Sequence, residues 1–326
     1  MQKGNREQGT GKRRQKAKGK RHSYKINNFL SQSPITSHQS PITILTLKQR
    51  LQNHLQEIAR ERDPYMASAG HFFVQEYIRN ELGQWGSVEI HTFKVGSKSC
   101  NNLILNLPAQ EKRQKLDFPP ILVGAHYDGV PGTVAADDNA TGVAVLLEFA
   151  RIFTQAPARY PLRLVAFDME EYGLLGSADY AALLHQQKQR LRLMISLEML
   201  GYRDCRPGSQ RYPAFLDRLY PNTGDFIGLI GNLRTLGDLV NIRSAISKSG
   251  LPCQLLPVPN RGLLVPQTRL SDHAPFWDQG YPAIMVTDTA FMRNPNYHKP
   301  SDTIASLDLD FLVGVCEGLE SGIRCL

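Results

Sequence analysis

Apolar residues at helical spacing open the regularly patterned part of the chain. Between residues 42 and 62, apolar side chains recur every three or four residues, which is the spacing of one face of an α-helix. These side chains are Leu47, Leu51, Leu55 and Ile58. Pro64 ends the pattern, because proline breaks a helix, and a second helix is predicted over residues 68–82. The side chains expected to face inward from that second helix are Phe73, Tyr77 and Ile78.

From residue 88 onward, short apolar runs of strand character alternate with helical stretches. Strands are predicted over residues 88–93, 103–107, 121–125, 162–167, 193–197, 226–230 and 283–286. Helices are predicted over residues 141–153, 175–187, 236–249, 271–279 and 309–324. This alternation predicts an α/β sandwich with a largely parallel sheet. In such sheets ligands bind just beyond the carboxyl ends of the strands.

The length and composition are those of a globular protein. The chain has 326 residues, of which 41% are hydrophobic, so we expect residues 42–326 to form a single domain. No apolar run approaches the roughly 20 residues that span a bilayer, and no apolar stretch follows the basic amino terminus. We therefore expect neither a membrane span nor a secretory signal, which favours the cytoplasm.

The net charge of +8 is concentrated at one end of the chain. Residues 1–22 hold one acidic residue, Glu7, and nine basic residues, so residues 23–326 sum to zero. Because few apolar residues interrupt these charges, residues 1–41 are predicted to be a disordered basic tail. That tail is either a solvated segment or an electrostatic anchor to nucleic acid or an anionic surface. The neutral remainder gives no reason to expect a specific nucleic-acid partner.

The cysteines exclude two classes of site. There are five of them, scattered along the chain without a C-x-x-C pair. This pattern argues against a thiolate zinc site and against a disulfide framework. We expect mostly free, partly buried thiols, and a single disulfide stays possible on spacing alone.

Metal-binding residue types follow several of the predicted strands. They occur at the strand ends or in the loops beyond them, and they are His126, Asp128, Asp138, Glu170, Glu171, Glu198 and His298. Imidazole and carboxylate are the ligands that zinc takes when thiolates are absent. Each short motif is weak evidence alone. Their shared position at strand ends predicts a metal site there.

Three details of these residues fit metal-assisted chemistry. Asp128 is two residues from His126, where a carboxylate can orient an imidazole ligand and raise its basicity. Of the adjacent Glu170 and Glu171, one can bind metal while the other acts as general base. Glu198 directly follows an apolar strand, and a buried carboxylate is costly unless it is paired or bound to metal.

These segments, taken in order, match a known pattern. They are Gly124-Ala125-His126-Tyr127-Asp128, residues 136–142, residues 167–176, residues 196–202, Ser271-Asp272-His273 and residues 297–303. Over about residues 45–322 the chain resembles the aminopeptidase Y / aminopeptidase S family of co-catalytic di-zinc metallopeptidases. That family shares its fold with the glutaminyl cyclases. The resemblance implies a three-layer α/β/α sandwich with a mixed, mainly parallel central sheet, as in zinc exopeptidases.

The resemblance also implies a role for each residue. One zinc ion would be held by His126, Asp138 and Glu198, and the other by Asp138, Glu171 and His298, so that Asp138 bridges them. Glu170 would be the general base. The family often has Asp where this chain has Glu198. Because the glutamate side chain is one methylene longer, the distance between the two metals could differ from that in the family.

Further details are implied by the same resemblance. The peptide bond after Asp138 is expected to be cis. Asp128 would contact His126 without binding metal itself, and Asp272 would lie behind the metal ligands or line the substrate pocket. The local pattern alone offers another role for Asp272, as the cap of the short helix that follows it. Apart from the resemblance, four apolar side chains near the motifs either line a substrate pocket or pack in the core. They are Phe276, Trp277, Phe291 and Met292.

The function implied is that of an aminopeptidase. It would use two Zn²⁺ ions per chain, or other divalent metals, to hydrolyse the first peptide bond of a peptide with a free amino terminus. The alternatives are a glutaminyl cyclase-like acyltransferase with one zinc, a carboxypeptidase or deacylase on a related fold, and a non-catalytic binding scaffold. Relatives of this kind are often exported, so export is the alternative to the cytoplasmic location expected above.

Overall fold

A mixed β-sheet forms the centre of the protein. The computed structural model describes residues 45–113, 117–213 and 216–326, and Leu45–Leu326 form one compact unit. The predicted basic tail lies outside the described residues. The strands, in chain order, are β1 (Val88–Val95), β2 (Lys98–Leu107), β3 (Ile121–His126), β4 (Leu162–Phe167), β5 (Leu193–Glu198), β6 (Ile227–Asn232), β7 (Cys253–Val258) and β8 (Ala283–Thr287).

The order of these strands brings several carboxyl ends together. The sheet runs β1-β2-β4-β3-β5-β8-β6-β7. Strands β4, β3, β5 and β8 are parallel neighbours, and β6 pairs in parallel with β7. The pairings β1–β2, β2–β4 and β6–β8 are antiparallel. The predicted mixed, mainly parallel sheet is therefore confirmed, and the ends of β3, β4 and β5 meet at one edge.

Helices cover both faces of the sheet. They are α1 (Leu47–Ile58), α2 (Ser68–Gly83), α3 (Gly142–Gln155), α4 (Leu175–Gln186), α5 (Leu236–Lys248), α6 (His273–Asp278) and α7 (Leu309–Arg324). Alternate residues of β3 show the two faces, as the two-residue period of a strand requires. Ile121 and Val123 join one core cluster with α1, α2, α3, α5 and α7. Leu122 joins the other, with α4 and α6. The result is the expected three-layer sandwich.

Two sequence predictions about this fold were wrong. Strand β7 was not predicted; it is an edge strand whose middle four residues are only partly buried, and it contains Pro257. Proline is tolerated at a sheet edge but is a poor signal for a strand. Phe73 was expected to face inward, but it is 41% exposed and its ring lies under the guanidinium of Arg60, 3.8 Å away. The buried face of α2 is formed by His71, Val74, Ile78 and Leu82.

Two further observations bear on the class of protein. All five cysteines are free; Cys100, Cys253 and Cys316 are buried, whereas Cys205 and Cys325 are exposed. None of the helices formed by the described residues combines the length and the apolar character needed to cross a bilayer.

Candidate active site

The site begins at the end of β3. That strand is buried along its whole length, and its last residue, His126, is completely buried. Asp128, two residues further on, is also completely buried, and its Oδ1 lies 3.3 Å from His126 Nδ1. The carboxylate therefore faces one ring nitrogen of His126 and leaves Nε2 turned toward the other acidic residues.

Asp138 lies between two histidines. Its Oδ1 is 3.3 Å from His126 Nε2, and its Oδ2 is 3.1 Å from His298 Nε2. The peptide bond from Asp138 to Asn139 is cis, as the family resemblance implies. One carboxylate thus presents a different oxygen to each histidine.

Two glutamates complete two groups of potential metal ligands on either side of Asp138, which we call the ligand groups. Glu198, the last residue of β5, places Oε1 3.7 Å from His126 Nε2. Its other oxygen accepts a hydrogen bond from Ser271 Oγ at 2.7 Å. Glu171 places Oε2 3.3 Å from His298 Nε2. All five predicted ligands are therefore brought to the same edge of the sheet.

Glu170 lies beside the first of these groups. One carboxylate oxygen of Glu170, one of Glu198 and a ring nitrogen of His126 all lie within 4.8 Å of one another. The backbone N–H groups of Glu170 and Glu171 donate to the two oxygens of Asp128, each at 3.1 Å. Asp128 therefore fixes the turn that carries both glutamates, in addition to facing His126.

The structure bears on one of the sequence interpretations of Asp272. Asp272 precedes α6 but makes no capping hydrogen bond with it, so the helix-cap interpretation is wrong. The side chain is completely buried, and neither oxygen accepts a hydrogen bond from the described residues. Burial raises the pKa of Asp272 to about 7, and the neighbouring charges include His126 and Glu198. Asp272 therefore lies close enough to His126 and Glu198 for their charges to influence its carboxyl group.

The electrostatics of the site fit bound cations. Burial raises the pKa of Glu171 to about 7 and holds that of Glu170 well above its ordinary value. Burial opposes protonation of His126, but the charge of Glu170 and the adjacent carboxylates raise its pKa well above the usual range. Both ring nitrogens of His126 and Oε1 of Glu171 are buried without a hydrogen bond. A divalent cation would neutralise the crowded carboxylates and engage these atoms as ligands.

Sequence reasoning missed a buried arginine beneath the site. Arg62 is completely buried, and its guanidinium donates to backbone carbonyl oxygens of Tyr127 (2.9 Å), Val134 (2.7 Å) and Ala135 (2.8 Å). It also lies 3.4 Å from the carbonyl oxygen of Asp138. Arg62 therefore ties the end of β3 to the loop that carries Asp138. No local motif marks this residue, because its partners are 65 to 76 positions away.

A second missed group holds the Asp138 loop from the other side. Asp302 is 1% exposed, and it accepts the backbone N–H groups of Asp137 (2.9 Å) and Asp138 (3.2 Å). Asn139 donates to the carbonyl oxygen of Leu197 at 2.8 Å. These contacts join the loop to the segment after His298 and to β5. Asp302 was part of the motif that carried the resemblance, which is the signal that could have identified it.

Several residues next to the ligands adopt a left-handed backbone conformation. Ala135, Met169, Met199 and His298 have φ values of 46°, 61°, 51° and 57°. Such values are uncommon for residues other than glycine and cost about 1 kcal/mol or more each. At Met169 and Met199 they turn the chain directly after β4 and β5, beside the segments that carry the glutamates.

A mainly apolar cavity opens beside Glu198. Its lining includes the apolar residues Ile230, Leu270, Met285, Phe291 and Met292 and the polar residues Gln267, Thr287 and Thr289. Of the four apolar residues singled out from the sequence, Phe291 and Met292 therefore line a cavity. Phe276 and Trp277 instead pack in the core on the α4–α6 face of the sheet.

The sequence matches a family model over the part of the chain that carries this site. Residues 102–318 match the model of peptidase family M28, and that range is more than half of the chain. The chain belongs to peptidase family M28. The range begins in β2 and ends in α7, so it includes the end of β3, the Asp138 loop, both glutamates after β4, Glu198 and His298.

Two relatives agree with this membership. The protein YfbL of Escherichia coli K12 is 39% identical over 218 residues, which are 62% of this chain and 66% of YfbL. Aminopeptidase YwaD of Bacillus subtilis 168 is 30% identical over 217 residues, which are 65% of this chain and 42% of YwaD. The chain thus spans less than two thirds of the length of either relative.

Solved structures show the same fold. The LapA aminopeptidase of Legionella pneumophila superposes with a TM-score of 0.64 at 18% identity, covering 85% of this chain and 70% of LapA. At that identity the likeness concerns the fold alone.

Proposed function

We propose that this protein is an aminopeptidase that uses two zinc ions to hydrolyse the first peptide bond of a peptide. Its substrate would carry a free amino terminus. The proposal rests on family M28 membership and on one geometric observation. That observation is the position of Asp138, whose Oδ1 and Oδ2 face His126 and His298 at 3.3 and 3.1 Å.

The ligand groups on either side of Asp138 support two metals rather than one. His126 and Glu198 lie on the side of Oδ1, while His298 and Glu171 lie on the side of Oδ2. A bridging carboxylate with a histidine and a second carboxylate on each side is suited to hold two ions about 3.5–4 Å apart. A cyclase-like enzyme with one zinc ion would have no use for the pair formed by His298 and Glu171.

The residues of the chain would divide the chemistry between them. When bound, the two zinc ions would activate the attacking water and stabilise the negative charge that develops on the scissile carbonyl oxygen. Glu170 would accept the proton of that water and deliver a proton to the leaving amine. Asp128 would hold Glu170 and Glu171 by their backbone N–H groups, so that the base and the ligand keep their relative positions.

The apolar cavity beside Glu198 would receive the side chain of the amino-terminal residue. Its lining side chains Leu270, Met285 and Phe291 are apolar, and burying an apolar side chain against them is favourable. We therefore expect leucine or methionine to be preferred over aspartate at the first position of the substrate.

The test measures zinc per chain and hydrolysis of leucine anilide, with and without a chelator. We expect about two zinc ions per chain and activity that the chelator removes and zinc restores. Glu170→Gln should lower kcat by about 100-fold or more while zinc binding persists. The matched control is Glu317→Gln, an exposed glutamate of α7, which should behave as wild type. One zinc without anilide hydrolysis would support the cyclase-like alternative, and no hydrolysis after zinc is restored would overturn the proposal.

A further inference from the structure

A basic groove lies next to His298 and has no role in the chemistry proposed above. We use the name basic groove for a space of about 460 Å³ whose lining includes Arg206, Arg211, Phe291, Arg293, Tyr297 and Lys299. Of the twelve residues that line it, four are cationic and one is acidic. Clefts lined by charge of one sign attract ligands of the opposite sign.

The basic groove adjoins the site through two aromatic residues. The ring of Tyr297 stacks on the ring of His298, with centroids 3.8 Å apart and planes 19° apart. Tyr297 and Phe291 also line the apolar cavity beside Glu198. In a peptide whose first residue is bound at the ligand groups, the residues that follow would therefore lie close to the basic groove.

The acidic side chain in the groove is already neutralised. Asp204 is the one acidic residue among the described residues that line it. Arg206 Nη2 lies 2.6 Å from Asp204 Oδ2, and the hydrogen bonds from Arg206 hold the pKa of Asp204 below its ordinary value. Arg206 and Asp204 thus form an ion pair. Arg211 and Lys299 make no ion pair with the described residues, whereas the buried Arg293 lies near the carboxylates of Asp288 and Asp137.

Arg293 carries an unused hydrogen-bond donor. Its side chain is held by Nε, which donates to Gln210 Oε1 at 2.9 Å, by Nη1, which lies 3.4 Å from the carbonyl oxygen of Tyr202, and by the ring of Phe226, 4.6 Å from the guanidinium. Arg293 is only 5% exposed, and its Nη2 is buried without a hydrogen-bond partner among the described residues. A buried charged donor without a partner is costly, so a carboxylate that reached Nη2 would stabilise this arrangement.

Arg211 supplies an accessible cation to the lining of the basic groove. Its side chain is exposed, and its backbone N–H donates to the carbonyl oxygen of Met292 at 2.8 Å. That bond fixes Arg211 against the segment that leads to His298. The guanidinium itself has no hydrogen bond or ion pair with the residues that the structure describes.

We propose that the basic groove binds a carboxylate of the substrate downstream of the scissile bond. This inference rests on the aminopeptidase function proposed above and narrows its substrates. The carboxylate would belong to the free carboxyl terminus of a very short peptide or to an acidic side chain near its amino terminus. Arginine suits this task because its planar guanidinium can donate two hydrogen bonds to one carboxylate.

The test compares the zinc-loaded enzyme on matched substrates with the same amino-terminal leucine. Leu-Gly is compared with Leu-Gly-amide, and Leu-Glu-amide with Leu-Gln-amide, so that the two sources of a carboxylate are measured separately. The first variant is Arg211→Gln, which should not affect folding because the side chain of Arg211 is exposed. The second is Arg293→Lys, which keeps the positive charge but removes the planar guanidinium donor. Arg243→Gln is the control, because Arg243 is an exposed residue of α5 that does not line the groove.

In at least one substrate pair, we expect the wild-type KM for the carboxylate-bearing substrate to be about tenfold lower than the KM for the neutral substrate. Arg211→Gln and Arg293→Lys should raise that KM toward the neutral value while kcat, and the KM of the neutral substrates, stay near wild type. If the wild type shows equal KM values for the two members of each substrate pair, the groove proposal is overturned. A lower KM for the carboxylate-bearing substrate that persists in both variants would overturn it as well. Either result would leave the aminopeptidase proposal standing. If no substrate is cleaved at all, including the neutral amides, the aminopeptidase proposal fails and the groove proposal fails with it.

Discussion

The carboxylate of Asp128 accepts a hydrogen bond from the backbone N–H of Glu170, with 3.1 Å between Oδ1 and the nitrogen. The same Oδ1 lies 3.3 Å from Nδ1 of His126. One buried side chain therefore links the end of β3 to the turn after β4. A change at Asp128 should consequently disturb the proposed metal ligand His126 and the proposed base Glu170 together.

Asp128→Asn tests this link. The amide keeps one acceptor oxygen, so one of the two backbone hydrogen bonds from Glu170 and Glu171 is lost. We expect kcat to fall about 10- to 100-fold, with weaker zinc binding, as for other residues that orient metal ligands. Kinetics and zinc titration measure both effects. Asp310→Asn, at an exposed carboxylate paired with Lys48, should change neither; unchanged kcat in Asp128→Asn would contradict the role given to Asp128.

Arg62→Met tests the support beneath the Asp138 loop. Methionine fills much of the volume but leaves the carbonyl oxygens of Val134 and Ala135 without the donor they have now. Because buried unsatisfied acceptors are costly, we expect the free energy of unfolding to fall by about 3 kcal/mol. Urea unfolding measures it. Arg79→Met, at a side chain that is 46% exposed, should cost far less; equal stability of the two variants would show that Arg62 contributes little.

Leu270→Asp tests the apolar cavity beside Glu198. Leu270 is 55% exposed, so the substitution should leave the fold intact while it places a negative charge in the cavity wall. We expect kcat/KM for leucine anilide to fall about tenfold and the relative rate on lysine anilide to rise. Leu264→Asp is the control, since Leu264 is 70% exposed and does not line that cavity. The same loss in both variants would argue against a substrate pocket there.

The acid stability of the protein should depend on Glu148 in α3. Burial alone would raise the pKa of Glu148, but hydrogen bonds from His54, Arg151 and Arg50 lower it from 4.5 to about 2. Because the folded pKa lies below the unfolded one, this stabilisation is complete above about pH 4.5 and is lost as the pH falls through about 2.

Glu148→Gln should therefore be less stable than wild type by about 2 kcal/mol at pH 7. That difference should shrink by about half at pH 3. Chemical unfolding at both pH values measures it, with the exposed Glu317→Gln as control. A difference that stays constant from pH 7 to pH 3 would contradict the lowered pKa of Glu148.

The sequence was most informative where function and local pattern coincide. The sequence predicted that five residues lie together, because parallel strands bring their carboxyl ends to one edge and because the motifs around these residues resemble a known family. They are His126, Asp138, Glu171, Glu198 and His298, and the structure places them near one another. The apolar runs of β3, β4 and β5 are buried on both faces, so they stand out clearly as strands.

The features that were missed depend on distant partners or weak patterns. Arg62 acquires its role from carbonyl oxygens in a loop more than 70 residues away, which no local pattern records. Strand β7 is partly exposed along its middle and contains Pro257. Phe73 was placed inside because it is large and apolar, whereas the structure buries the neighbouring Val74 and exposes Phe73 beneath Arg60.

The central claim is that Asp138 bridges two zinc ions, and anomalous X-ray scattering at the zinc edge tests it most directly. Crystals of the zinc-loaded protein should show two anomalous peaks about 3.5–4 Å apart. One peak should lie near His126 and Glu198, the other near His298 and Glu171, with one oxygen of Asp138 on each. A single fully occupied peak, with Glu171 and His298 free of metal at saturating zinc, would contradict the two-metal account.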